Sequence, residues 1–188
     1  MVSKYLIFGN PQKILNYLLL SSGKSCYERE IARGAKISYG SANNILNDLY
    51  RKGIVERKTE GRMNYYMVNL SNPYIQEFKI LINMLLLEPL IEKLKPYTHK
   101  IVMFGSWSWG GDIEKSDIDL FIVSSDEDTV RSIINKYSFS IRVANRKIQA
   151  IIESPTSLMK KTDNNKVFMA QVSQGKILWQ REINEDNL

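Results

Sequence analysis

The chain of 188 residues holds a single cysteine, Cys26, and a single histidine, His99. One cysteine excludes an internal disulfide framework and any cysteine-cluster zinc site, and one histidine excludes histidine-rich metal chemistry. A metal bound by this protein must therefore sit on oxygen ligands. Long apolar runs are also missing. The longest, around residues 80–87, is interrupted by Asn83 and closed by Glu88-Pro89, well short of the roughly 20 residues that span a bilayer. The opening MVSKYLIFGNPQK has only a four-residue apolar patch and no small-residue cleavage site, unlike a secretory signal. The expectation is a cytoplasmic protein without a membrane partner. With 44% apolar and 24% charged residues, the composition is that of a globular chain rather than a disordered one.

The formal charge of +6 is placed unevenly: residues 1–70 hold eleven Lys/Arg against five Asp/Glu, and residues 71–188 hold fifteen of each. The whole excess lies in the first third. Such asymmetry fits a basic module facing a polyanion beside a neutral module with another task, or a basic surface that is merely solvated.

Asn10-Pro11 reads as a helix start, and Ile14, Leu15, Leu18 and Leu19 follow at helical spacing until Ser21-Ser22-Gly23. Ser25-Cys-Tyr-Glu28 has capping-box spacing and predicts a short helix carrying Ile31 and Ala32. Cys26, with no base or metal partner near it in sequence, reads as a small buried apolar residue. From Tyr39 to Lys52 the set Ala42, Ile45, Leu46 and Leu49 forms one stripe and leaves Tyr39, Ser41, Asn43, Asn44, Asn47 and Arg51 outside it. Ile54 to Lys58 and Asn64 to Asn69 are strand-like, with Thr59-Glu-Gly-Arg62 as the hairpin. Three helices and a basic hairpin make a winged helix-turn-helix.

The run EIARGAKISYGSANNILNDLYRKGIVERKTEGRMNYYMVN closely resembles winged-helix transcription regulators. In that family the third helix enters the major groove and the wing touches phosphate or minor groove. The resemblance implies double-stranded DNA as partner, with Tyr39, Ser41, Asn43 and Asn44 at base edges and Arg57, Lys58 and Arg62 at phosphates. Winged helices also serve as protein adaptors, and the asparagines are then only a polar outer face.

Asn72-Pro73 opens another helix in which Ile75, Phe78, Leu81, Ile82, Leu85 and Leu86 give a broad apolar face, with Pro89 expected to kink or restart it before Lys95-Pro96. Its apolar surface suits packing within the chain or pairing with a second copy in a homodimer. Beyond it, Lys100–Phe104 and Ile118–Val123 read as strands joined by a turn and helix. Asp126–Tyr137 reads as a helix, Phe139–Val143 and Lys147–Glu153 as strands, Ser157–Lys161 and Val167–Ser173 as short helices, and Lys176–Trp179 as a last strand. The fold class is α+β: a winged helix over 1–70, a connecting or dimerisation helix over 71–97, and a small mixed-sheet domain over 98–188.

The ordered set Gly105, Ser106, Gly110, Asp117 and Asp119 resembles the DNA polymerase β nucleotidyltransferase superfamily, particularly its minimal prokaryotic members. The resemblance implies a nucleotidyltransferase domain binding ATP or another nucleoside triphosphate with Mg2+ or Mn2+. Asp117 and Asp119 are then the catalytic metal ligands, and Gly105, Ser106 and Gly110 the nucleotide-binding residues. The chemistry agrees: carboxylates two apart on a strand share a face, and hard cations take carboxylate and phosphate oxygen. Two features depart from the pattern. Trp107 and Trp109 stand where many members carry basic residues, and Gln149 stands where the superfamily has a third carboxylate, with Glu153, four residues on along the same strand face, as the other candidate for that position if the alignment is shifted. An amide cannot accept the nucleophile's proton. Two functions follow: a DNA-binding regulator whose nucleotidyltransferase domain binds nucleotide and metal with attenuated catalysis, or an active enzyme moving a nucleoside monophosphate onto a protein or small-molecule hydroxyl, antitoxin-like in setting.

Overall fold

The computed structural model describes residues 9–137, 146–160 and 166–182. The strand expected over Phe139–Val143, and Lys161 of the helix before the last, lie outside them. Contacts gather the chain into two compact units, 1–85 with 110–116, and 86–109 with 117–188. This grouping differs from the linear division at 70 and 97, because a short loop from the second half belongs to the first unit.

In the first unit, α1 (Asn10–Leu20) buries Ile14, Leu18 and Leu19, and α2 (Glu28–Ala35) buries Ile31, Ala32 and Ala35. In α3 (Tyr39–Arg51), Ala42, Leu46 and Leu49 are buried, and the Ser38 side chain caps the start by accepting from the Ser41 amide. The capping box expected at Ser25 does not form. Cys26 and Tyr27 are instead a two-residue strand, β1, paired with Tyr66 and Tyr65, and α2 begins at Glu28 without a side-chain cap. Cys26 is fully buried and Tyr66 beside it likewise, so burial of that pair outweighs a local cap. Strands β2 (Val55–Glu60) and β3 (Met63–Val68) make the wing, in the order β1-β3-β2. They reach closer to the turn than the sequence pattern suggests: Glu60 pairs with Met63, and the Thr59 hydroxyl donates to Asn64 Oδ1.

Helix α4 (Pro73–Leu94) is continuous through Pro89, so the expected restart is absent. The missing N–H and ring clash cost about 3 kcal/mol. Burial of Leu87, Leu90, Ile91 and Leu94, each contributing on the order of 1.5–3 kcal/mol, is more than enough to hold the helix together. Its buried stripe in the first unit keeps Ile75 and Ile82 of the expected face but differs from the rest of it: Phe78, Leu81 and Leu85 are half-buried, whereas Lys79, Ile80 and Asn83 are buried. Lys79 is 1% exposed and pairs with Asp112, also 1% exposed, of the 110–116 loop. The Lys79 ammonium also donates to Ser22 Oγ and to the Asp112 carbonyl, Asn83 Nδ2 donates to Asp112 Oδ1 at 2.8 Å, and the Glu114 amide donates to the Ser22 carbonyl. Gly110 opens this loop at φ +76°, and a Cβ there would lie 2.8 Å from the Gln76 carbonyl oxygen. It is a packing glycine against α4.

In the second unit a four-stranded sheet has the order β6-β5-β4-β7. Strands β4 (Lys100–Phe104) and β5 (Ile118–Val123) are antiparallel, β7 (Lys176–Gln180) is antiparallel to β4, and β6 (Ile148–Glu153) is parallel to β5. A parallel neighbour needs a crossover, and α5 (Glu127–Lys136), capped by Asp126 accepting from the Thr129 amide, lies in it. Short helices α6 (Pro155–Lys160) and α7 (Lys166–Ser173) precede β7. One face of the sheet buries Val102, Phe104, Phe121 and Val123 with Val172 of α7, and Phe168 meets Phe104 and Phe121 edge-on at 5.7 and 5.9 Å. Between β4 and β5 the expected helix is only a four-residue 3₁₀ turn, Gly105–Ser108, followed by irregular chain. Among the described residues no helix is long and apolar enough to cross a membrane.

Candidate functional site

Strand alternation puts the functional groups of the second unit at the start of β5 and the end of β4. Asp119 pairs across β4 with Phe104 and across β6 with Gln149. The Gln149 amide nitrogen donates to Asp117 Oδ2, so Asp117, Asp119 and Gln149 converge on one spot. Glu153 lies opposite Val123 at the far end of β6, where its carboxylate accepts from the Ser157 hydroxyl. Among the described residues no three acidic, histidine or cysteine side chains gather into a metal cluster. Burial, and then the neighbouring Asp117 charge, push the Asp119 carboxyl above the usual carboxylate range.

Gly105 has φ +64°, and a Cβ on it would sit 2.3 Å from Asp119 Oδ2. Only glycine lets the turn close over that carboxylate. A cavity of about 610 Å³ opens beside it, with Gly105, Ser108, Trp109, Asp119, Gln149 and Phe168 in its wall. Ser106 lies on the same 3₁₀ turn, whereas Gly110 is held in the first unit. The two tryptophans differ: Trp109 is 56% exposed, but Trp107 is buried, with the Arg146 guanidinium 4.9 Å above its ring. Sequence reasoning missed Ser108, whose hydroxyl donates to the Gly105 carbonyl at 2.8 Å. It also missed Phe168, Gln171 and Gln174 of the cavity wall. Of these only the i, i+3 spacing of Phe168, Gln171 and Gln174 carries a signal in the sequence.

The donor set suits a hard divalent ion. Two carboxylates offer a hard cation oxygen ligands while leaving positions for the waters and phosphate oxygens that Mg2+ retains, and two like charges side by side are relieved by a cation. Removing one charge has the same sense. Asp119→Asn is expected to raise the melting temperature in chelator. Because the folded carboxyl titrates above its unfolded value, ionised Asp119 subtracts stability at neutral pH, and acidification through the raised value returns it. The gap between wild type and variant should therefore close as pH falls. A wild type that matches or exceeds Asp119→Asn at neutral pH would contradict this.

In the first unit, Tyr39 is 48% exposed at the start of α3 with the Arg29 guanidinium 5.5 Å above its ring. Ser41 is half-buried and Asn44 exposed. Asn43 is turned inward: its Nδ2 donates to Glu28 Oε1 at 2.6 Å, and its Oδ1 accepts from Asn47 Nδ2. Arg57 packs 4.3 Å over the Tyr50 ring, Lys58 pairs with Glu60 at 2.7 Å, and Arg62 is exposed in the wing turn.

A winged helix in the first unit and, in the second, a small mixed sheet whose Asp117–Asp119 pair lies under a glycine turn at Asp119 define a regulator-like domain joined in sequence to a nucleotidyltransferase domain. The sequence profile described as "Polymerase beta, Nucleotidyltransferase" matches residues 88–184, and the chain belongs to that family, whose members generally use a nucleoside triphosphate and divalent metal. The profile of the sugar-specific transcriptional regulator TrmB matches residues 13–71. No curated protein matches the chain. Among solved structures, it is similar to MepR, a transcription regulator of the Staphylococcus aureus multidrug efflux pump MepA, at 19% identity and TM-score 0.37, covering 50% of this chain and 70% of that one. The S. aureus MepR–DNA complex gives 19%, 0.36, 50% and 81%, and AF1382 from Archaeoglobus fulgidus 21%, 0.35, 43% and 93%.

Proposed function

We propose that this protein binds double-stranded DNA through its winged helix and holds a nucleoside triphosphate with Mg2+ or Mn2+ at Asp117 and Asp119, with group transfer attenuated. The observation that carries the reading is Gln149, placed opposite Asp119 and donating to Asp117. At that spot a carboxylate would accept the nucleophile's proton, and the amide does not. Gly105 and Ser106 would face the triphosphate, since a glycine lets phosphate approach the backbone and a hydroxyl donates to its oxygens. Gly110 would act on the nucleotide only through the loop it anchors. The bound cation would supply charge neutralisation for phosphate oxygens. On the DNA side, Tyr39, Ser41 and Asn44 would reach base edges, and Arg57, Lys58 and Arg62 phosphates. A second copy of the chain would match a two-fold symmetric operator.

Family membership favours a second reading, in which the enzyme transfers a nucleoside monophosphate from ATP to a protein or small-molecule hydroxyl. Titration calorimetry with ATP and Mn2+, label transfer from ATP into lysate, and gel shift across a salt series separate the two. Binding without transfer, together with DNA affinity that falls steeply with salt as phosphate contacts release counterions, is the expected result. Transfer abolished in Asp117→Ala would establish the second reading, and no ATP binding by the wild type would sink both.

A further inference from the structure

Four side chains of the first unit form one directed chain of hydrogen bonds. Arg57 Nη1, on the wing, donates to Asn47 Oδ1 at 3.1 Å; Asn47 Nδ2 donates to Asn43 Oδ1 at 3.1 Å; Asn43 Nδ2 donates to Glu28 Oε1 at 2.6 Å. A cation at one end can only donate and a carboxylate at the other can only accept, so both amides are fixed in a single orientation. Asn43 and Asn47 are one turn apart on α3 and share a face. Tyr50, a further turn along, lies beneath the same guanidinium at 4.3 Å. Arg57 is thus held at two points of α3, although it belongs to β2.

Glu28 is 3% exposed. A buried carboxylate requires its hydrogen-bond donors, so Asn43 cannot swing out to a base edge without stranding it. We infer that Glu28, Asn43 and Asn47 are positioning residues for DNA binding, which lock the wing's Arg57 onto the recognition helix, and that base reading falls to Tyr39, Ser41 and Asn44. The inference rests on the DNA-binding reading above and alters it at Asn43. The remaining guanidinium N–H groups of Arg57, which faces Tyr66 across the wing, are then aimed by α3 as well as by the wing, so that one phosphate contact keeps a fixed offset from the base-reading residues.

The test has two arms. In the DNA-free protein, nitrogen-15 exchange NMR reads rotation of the Arg57 guanidinium: slow in the wild type and in Glu28→Gln, which keeps an acceptor, and fast in Asn47→Ala. In the second arm, affinity for a labelled pool of random-sequence duplex is measured across a salt series for Asn47→Ala, Arg57→Ala and the double variant. Each single change is expected to flatten the salt slope by about one, with the double no worse than Arg57→Ala alone. Additive losses would mean that Asn47 touches DNA itself, and a restrained Arg57 in Asn47→Ala would mean that the relay holds nothing; either overturns the inference. A wild type that fails to bind the pool at low salt overturns the DNA-binding reading instead, while the NMR arm still reports on the relay.

Discussion

Lys79→Met is expected to lower the melting temperature by on the order of 10 °C. The ammonium is buried with the Asp112 carboxylate, 3.4 Å from its Oδ1, and also donates to Ser22 Oγ and the Asp112 carbonyl. Removing one partner of a buried pair leaves the other charge uncompensated, which costs about 3–5 kcal/mol, and each kcal/mol shifts a protein of this size by about 2–4 °C. The charge, not the shape, is the cause, so Lys79→Met with Asp112→Asn should recover most of the loss, because a neutral amide can exchange hydrogen bonds with Asn83. Differential scanning calorimetry on both variants decides the matter. A double variant as unstable as the single one would show that packing around the lysine stem, and not the stranded carboxylate, sets the effect.

Gln149→Asp is expected to raise label transfer from ATP by about 10²-fold or more, the usual contribution of a positioned general base. The register places residue 149 opposite Asp119, so the new carboxylate joins the existing pair. The same change removes the amide that donates to Asp117 and sets three like charges together, so without metal the variant should melt below the wild type. With Mn2+ it should gain more in melting temperature than the wild type does. The two readouts move oppositely, which separates a restored site from a damaged one. Lower stability with no larger metal response and no transfer would show that a carboxylate at 149 is not what the site lacks.

Much of this was visible in the residue pattern because it depends on local periodicity. The stripe of α3 and the alternation of β5 each follow from neighbours within one element. Gln149 was legible only through the family resemblance, which puts a third carboxylate on a later strand, and it is the register of β6 on β5 that sets it opposite Asp119. What escaped depends on distant partners. The Ser25 box looked sound locally, but Cys26 and Tyr27 answer to Tyr66 and Tyr65 in β3. Nothing near Lys79 in sequence announces its burial, because its partner Asp112 lies 33 residues away. Asn43 reads as a free polar residue until Glu28 is buried beneath it. The cavity wall from α7 was illegible for the same reason, since Phe168 is placed by Phe104 and Phe121 rather than by its own helix.

The loop at 110–116 also bears on how such a chain can be taken apart. Read along the sequence, it resembles two modules in tandem, separable by one cut. The contacts make it interleaved, with crossings after Leu85, Trp109 and Ser116. A fragment starting at residue 98 would carry Asp112 away from Lys79 and Asn83, and the complementary fragment would lose that carboxylate from beside the ammonium. Neither half is a self-sufficient inheritance, and recombination that swapped one module for a relative's would have to exchange the loop's partners at Ser22 and on α4 as well.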